Sequence, residues 1–183
     1  MNKIITLIVL MLLLAACKSP EARRPVSSTS GSFIDASVAR NIKLKEKEQA
    51  YIKKIMDANP DENYIASENG FWYYYNTKQP DSLITPDFGD IVNFNYNIKT
   101  LNGQVIYSKE EMKTQNYVMD KQELFSGLRE GLKLMRPGET VTFMFPSQKA
   151  YGYYGDENRI KTNAPLICEV SVNSIIENQL KEQ

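Results

Sequence analysis

The stretch AYGYYGDENRIKTNAPLICEVSV, residues 150–172, runs from a tyrosine-rich, glycine-punctuated loop straight into alternating apolar residues, in a chain with no histidine. That absence removes serine–histidine and cysteine–histidine nucleophile systems and the commonest zinc sites. Asp156, Glu157 and Asn158 offer oxygens, but without the spacing of an EF-hand calcium loop, and they read as a solvated loop tip. Chemistry on this chain has to run on shape, phenol hydroxyls, carboxylates and backbone dipoles, and no metal or cofactor is expected. Tyr151, between Ala150 and Gly152 at a strand–loop junction, is placed to present its hydroxyl. Tyr96 alternates with Phe94, and on pattern alone it is equally a core residue.

The beginning of the chain bears on where such a site would work. Residues 1–16 read as a secretory leader: Lys3, an unbroken apolar run from Ile4 to Leu14, then Ala15 and Ala16 before Cys17. The apolar run is shorter than the roughly 20 residues a membrane-spanning helix needs. Its ending, LAAC, resembles a bacterial lipobox, which implies that Cys17 is diacylated and holds the protein to a membrane, facing the periplasm or the cell exterior. Each buried lipid methylene contributes about 0.8 kcal/mol, so two or three acyl chains hold stably where one holds marginally. With Cys17 consumed, Cys168 has no partner for a disulfide and the core must hold by burial. The balance of 22 basic against 22 acidic residues offers no electrostatic footprint for nucleic acid.

The elements that must position the tyrosines follow from periodicity. Residues 17–32, polar and rich in proline and serine, read as a flexible linker. Over residues 33–58, Ile34, Val38, Ile42, Ile52, Ile55 and Met56 recur at helical steps around a charged middle, and Asn59-Pro60 ends the pattern. This amphipathic helix suits pairing of two chains into a homodimer, a stalk, or a fold back onto its own domain. Beyond Pro60 the period becomes that of strands. Two runs flank Asn69-Gly70, and two more flank Asn102-Gly103, each a hairpin signal. Val92, Phe94, Tyr96 and Ile98 share one face. ELFSGLREGLKLM, residues 123–135, reads as a helix with Leu124, Leu128, Leu132 and Met135 on one stripe. TVTFMFP starts a further strand, and Leu166, Cys168, Val170 and Val172 alternate in the last one. FWYYY, residues 71–75, reads as a half-buried strand, and Met112 and Met119 as packing. The sum is an α+β domain, an antiparallel sheet wrapped around one short helix, preceded by a separate N-terminal helix.

Four motifs, GDIVNFNYNIKTLNGQVIYS, GLREGLKLMRPGETVTFMFP, KAYGYYG and NAPLICEVSVNSI, occur in the order and nearly the spacing of FKBP-type peptidyl-prolyl isomerases, and the chain resembles that family over roughly residues 87–176. With the hairpin before it, the FKBP-like domain is expected over 61–178. The lipobox, the helix and this domain together are similar to a gliding-motility-associated lipoprotein form of the family in the Bacteroidetes. The resemblance implies prolyl isomerisation of X-Pro-containing polypeptides, which needs no acid, base or cofactor. It further implies a proline slot with Tyr96 and Ile106 as walls and Leu124 and Phe125 opening the short helix. In that likeness the backbone N–H of Phe125 and the hydroxyl of Tyr151 donate to substrate carbonyls, and Ile160 closes the slot from the loop.

Several positions depart from the family. Tyr107 stands where a pocket aspartate is usual, Leu128 replaces a tryptophan floor, and Gln115 and Cys168 replace wall phenylalanines. A slot with less aromatic surface should bind proline more weakly, because large rings supply most of the burial. Two function classes follow: a lipid-anchored isomerase assisting the folding of exported proteins, or a weakly active module that only binds proline-containing segments of partners.

Overall fold

The computed structural model describes residues 30–178, so the leader, Cys17 and residues 18–29 of the linker lie outside the described residues. Helix α1 spans Ser30–Ala58, beginning inside the expected linker and ending before Asn59-Pro60. The chain divides into two compact units within this helix, after Val38. Of the first unit, only the opening turns of α1 are described; there Ile34 and Val38 are 57% and 51% exposed. Among the described helices none is long and apolar enough to cross a membrane.

In the second unit the rest of α1 carries a one-sided apolar end. Ile52 is fully buried against Leu101 and Met144, with Ile55, Met56, Tyr64, Trp72 and Ile167 around it. Burying one such isoleucine contributes about 1.5–3 kcal/mol. Of the three expectations for the helix, folding back onto its own domain is therefore what this segment does.

The sheet has eight antiparallel strands. β1 (Ile65–Ala66) and β2 (Trp72–Thr77) form the first hairpin. Then come β3 (Ile91–Tyr96), β4 (Ile98–Thr100), β5 (Val105–Tyr107) and β6 (Gln115–Val118). β7 (Thr140–Phe145) and β8 (Leu166–Ile176) complete it. Strand order is β1-β2-β7-β8-β3-β6, with β4 joining β5 to β8. The long β8 is the organiser: β7 pairs along one side of it, while β4 and then β3 share the other. At the break between β3 and β4 the Asn97 side chain continues the ladder, its Oδ1 accepting from the Glu169 N–H at 3.1 Å.

Alternation sends Val92, Phe94 and Tyr96 of β3 and Leu166, Cys168, Val170 and Val172 of β8 into one core. Phe143 and Phe145 of β7 join them, while Met144 between them faces α1. The short one-turn helix α2 (Lys109–Met112) is closed by a capping box between Ser108 and Glu111. Helix α3 is shorter than its apolar stripe predicts, Ser126–Leu132 only. Leu128 and Leu132 are buried on it, and Met135 follows it into the core. Leu124 and Phe125 form an extended lead-in, with Phe125 at φ −61° and ψ 142°. α3 lies close on β7 because Gly127 and Gly131, one turn apart, present no side chains to Phe145 and Phe143.

Candidate functional site

Tyr96 ends β3, Phe125 leads into α3 and Tyr151 follows the 3₁₀ turn Ser147–Lys149; the three meet at one cleft. The cleft encloses about 670 Å³, and Leu124, Gln115 and Arg129 also line it. Ring packing fixes its walls. Tyr151 lies 5.1 Å from Phe125, centroid to centroid, Phe125 meets Phe145 edge-on at 5.4 Å, and Phe145 stacks on Phe143 at 5.4 Å. Two rings that β7 buries therefore back Phe125. Both rings lie at positions that strand periodicity marks only as core.

Three donors at this cleft have no acceptor among the described residues: the Tyr96 hydroxyl, the Tyr151 hydroxyl and the Phe125 N–H. The Phe125 N–H is open because the residue precedes the helix in extended backbone instead of lying within it. Burial, first of all, raises the Tyr151 phenol to about 12, with Cys168, Asp156 and Tyr107 adding to the shift. Burial also pushes the Tyr96 phenol well up, reinforced by Tyr151 and Cys168. Both hydroxyls thus stay protonated, as donors, across the physiological range.

The other expected site residues occupy three further places. Leu128, Ile160 and Cys168 are buried beneath the cleft, and burial alone pushes the Cys168 thiol far up. Ile106 lines a neighbouring hollow with Arg159 and Lys161. Tyr107 belongs to a latch on the 151–160 loop. Its hydroxyl donates to Asp156 Oδ2, and Asn158 Nδ2 donates to it at 3.2 Å. The Arg159 guanidinium sits 4.0 Å over the Tyr107 ring, with Nη1 donating to the Ile106 carbonyl and Nη2 to Glu111, each at 2.8 Å.

Asp156 is therefore not a solvated tip residue. Its Oδ1 also accepts from the N–H groups of Asn158 at 3.0 Å and Ile160 at 2.7 Å. Burial by itself would raise this carboxyl, but the Tyr107 hydroxyl and the backbone donors outweigh it and hold the group below the ordinary range. The loop is tight enough that a Cβ on Gly155, at φ +68°, would stand 2.1 Å from the Ile160 carbonyl oxygen. Asp156→Ala removes the acceptor of three donors, and at about 0.5–1.5 kcal/mol for each bond a loss of roughly 2 kcal/mol is expected locally. The check is limited proteolysis, which should shift to the 153–161 segment while the denaturant midpoint of the whole chain moves little.

Gln122, Glu123 and Arg129 at the rim were not anticipated. Arg129 follows Leu128 and lies one turn after Phe125, so α3, which buries Leu128 in the core, supplies the cleft with a polar edge. Arg129 and Lys133 form a neutral network with Asp120 and Glu130 at 3.1–3.6 Å.

Comparison with known proteins agrees with this fold. The model of the family described as FKBP-type peptidyl-prolyl cis-trans isomerase matches residues 84–173. Human peptidyl-prolyl cis-trans isomerase FKBP9 is 27% identical over 100 residues, 54% of this chain, and the chain spans only 18% of that protein's length. The probable FKBP-type isomerase FkpA of Neisseria meningitidis is 27% identical over 131 residues, 72% of this chain and 46% of that one. Among solved structures, a peptidyl-prolyl isomerase of Pseudomonas syringae superposes with a TM-score of 0.60 at 21% identity, over 74% of this chain and 95% of that one. FkpA of Escherichia coli gives 0.56 at 20%, over 93% and 81%. The segment that is similar to the FKBP-type peptidyl-prolyl cis-trans isomerase family, residues 84–173, is the one that holds the cleft and its three open donors.

Proposed function

We propose that this protein is a peptidyl-prolyl cis-trans isomerase, held to a membrane by lipid on Cys17 and acting on X-Pro bonds of exported polypeptides. The convergence of three unpartnered donors on one ring-walled cleft carries the reading. Rotation about an X-Pro bond meets a barrier of about 18–20 kcal/mol because the carbon–nitrogen bond has partial double-bond character. Halfway through, that resonance is lost, and the twisted amide is less polar than either planar form. A wall built from Tyr96, Phe125 and Tyr151 favours the twisted state over the planar ones, which is differential binding of the transition state. The hydroxyls and the Phe125 N–H hold flanking carbonyls while the bond turns. No proton moves, so a chain without histidine is not handicapped.

The purified full chain should accelerate cis–trans exchange of an alanyl-prolyl test peptide above the spontaneous rate. An unaccelerated rate would leave the proline-binding module as the function. Because the Tyr151 phenol is raised to about 12, kcat/KM should stay flat from about pH 6 to about pH 9. A limb near neutrality would contradict the proton-free mechanism. The sign for stability follows: a phenol raised above its ordinary value of 10.0 stabilises the fold fully below that pH, and the contribution is lost as pH climbs toward 12.

Cys17→Ser should release the protein from membranes into the soluble fraction, and continued membrane association would contradict the lipid anchor. A periplasmic or external location, and a role in gliding motility, rest on the resemblance to the lipoprotein form. Pairing through α1 is supported by Ile34, Val38 and Ile42, exposed at four-residue spacing.

A further inference from the structure

Glu48 sits in the charged middle of α1, yet it is only 5% exposed. Both of its carboxylate oxygens are engaged by one residue. Oε1 accepts from the Ser147 hydroxyl at 2.7 Å and Oε2 from the Ser147 N–H at 2.9 Å. Ser147 is itself fully buried and opens the 3₁₀ turn that leads to Tyr151. Its carbonyl accepts from the N–H groups of Ala150 at 3.1 Å and Gly152 at 2.9 Å, the residues on either side of Tyr151. The Gly152 carbonyl in turn accepts from the Asn163 N–H at 2.8 Å, closing the base of the loop.

We infer that Glu48 is a positioning residue for the isomerase site: through Ser147 it sets the backbone on which Tyr151 stands. The inference rests on the isomerase reading only for its kinetic consequence; the mechanical coupling stands by itself. A buried carboxylate is costly unless its oxygens are satisfied, and here one serine satisfies both, so the pair tolerates little displacement. Tyr151 is held on its two flanking amides by the carbonyl of that same serine, and the hydroxyl that donates to substrate has to arrive within a few tenths of an ångström. The helix therefore does more than cover Met144 and Leu101.

The test uses the full chain and four proteins: wild type, Glu48→Ala, Glu48→Gln and Ile55→Ala. Glutamine keeps both contacts, its oxygen accepting from the Ser147 N–H and its amide donating to the serine oxygen. Ile55→Ala weakens the packing of the same helix without touching Ser147. Two readouts are taken below the melting range of all four. In the peptide assay, Glu48→Ala should lower kcat about 5–10-fold with KM little changed, while Glu48→Gln and Ile55→Ala stay within about twofold of wild type. In amide hydrogen exchange, the N–H groups of Ala150 and Gly152 should exchange about tenfold faster in Glu48→Ala alone. Wild-type protection of Gly152 in Glu48→Ala would overturn the inference. So would equal losses in Glu48→Ala and Ile55→Ala, which would reduce Glu48 to ordinary helix docking. An inert wild type would sink the isomerase reading and leave the exchange result to decide the coupling.

Discussion

Tyr151→Ala should lower kcat/KM for the test peptide about 10–100-fold, whereas Tyr151→Phe should lower it only about 2–10-fold. The difference separates the two things the residue supplies. In the proposed reaction its hydroxyl gives one hydrogen bond to a substrate carbonyl, about 0.5–1.5 kcal/mol, and a factor of ten in rate corresponds to about 1.4 kcal/mol. Its ring lies 5.1 Å from Phe125 and forms one wall of the cleft. Aromatic contacts of this kind contribute about 0.5–1.5 kcal/mol beyond burial, and removing the ring also admits water to the twisted bond. Both variants should keep the wild-type circular dichroism spectrum, since the residue is only partly buried. Equal rates for the two would mean that the ring does nothing and that the slot is not a dry wall.

The second large effect is expected from the first of the two glycines of α3. Gly127→Ala should lower the free energy of unfolding by about 2 kcal/mol, read as a fall in the urea midpoint at unchanged slope. Helix propensity predicts the opposite sign, because alanine in a helix interior is favoured over glycine by about 0.8–1 kcal/mol. Packing decides. A Cβ at this position would stand 2.5 Å from Phe145 Cδ1 and 2.6 Å from the carbonyl oxygen of Lys149. The ring can turn a little, but the carbonyl is backbone, two residues before Tyr151, so relief of the clash must move the site. Gly131→Ala is milder, since its Cβ would meet only the Phe143 ring, at 2.9 Å. A stabilised Gly127→Ala protein would show that α3 does not approach β7 as closely as described.

The two predictions differ in how far the sequence could have led to them. Tyr151 stood out by its neighbours, Ala150 and Gly152, and by family resemblance. Gly127 did not, because a glycine within a helical pattern reads as a tolerated weakness until the partner strand is known. The same holds for Phe143 and Phe145: alternation marks them as inward-facing, but that they stack on each other against Gly127 and Gly131 of α3 follows only from the tertiary packing. Asp156 misled for a related reason. In a string of Asp-Glu-Asn, which carboxylate turns inward depends on Tyr107, 49 residues away.

By itself the sequence determined the order of the N-terminal helix, the two hairpins at Asn69-Gly70 and Asn102-Gly103, α3, β7 and β8, though not α2 or β6, together with the inward faces of β3 and β8 and the exclusion of histidine-based chemistry. These are local matters, set by side-chain period, turn residues and composition. Only the tertiary structure decided that Phe125 leaves its N–H open, that the loop is latched through Tyr107, and that Glu48 is buried while Glu46, two residues before it on the same helix, is exposed. Which of two identical side chains meets Ser147, 99 residues further on, is set by the rotation of a helix against a sheet. No local pattern encodes that rotation, because it is the joint result of every contact between Ile52 and its neighbours.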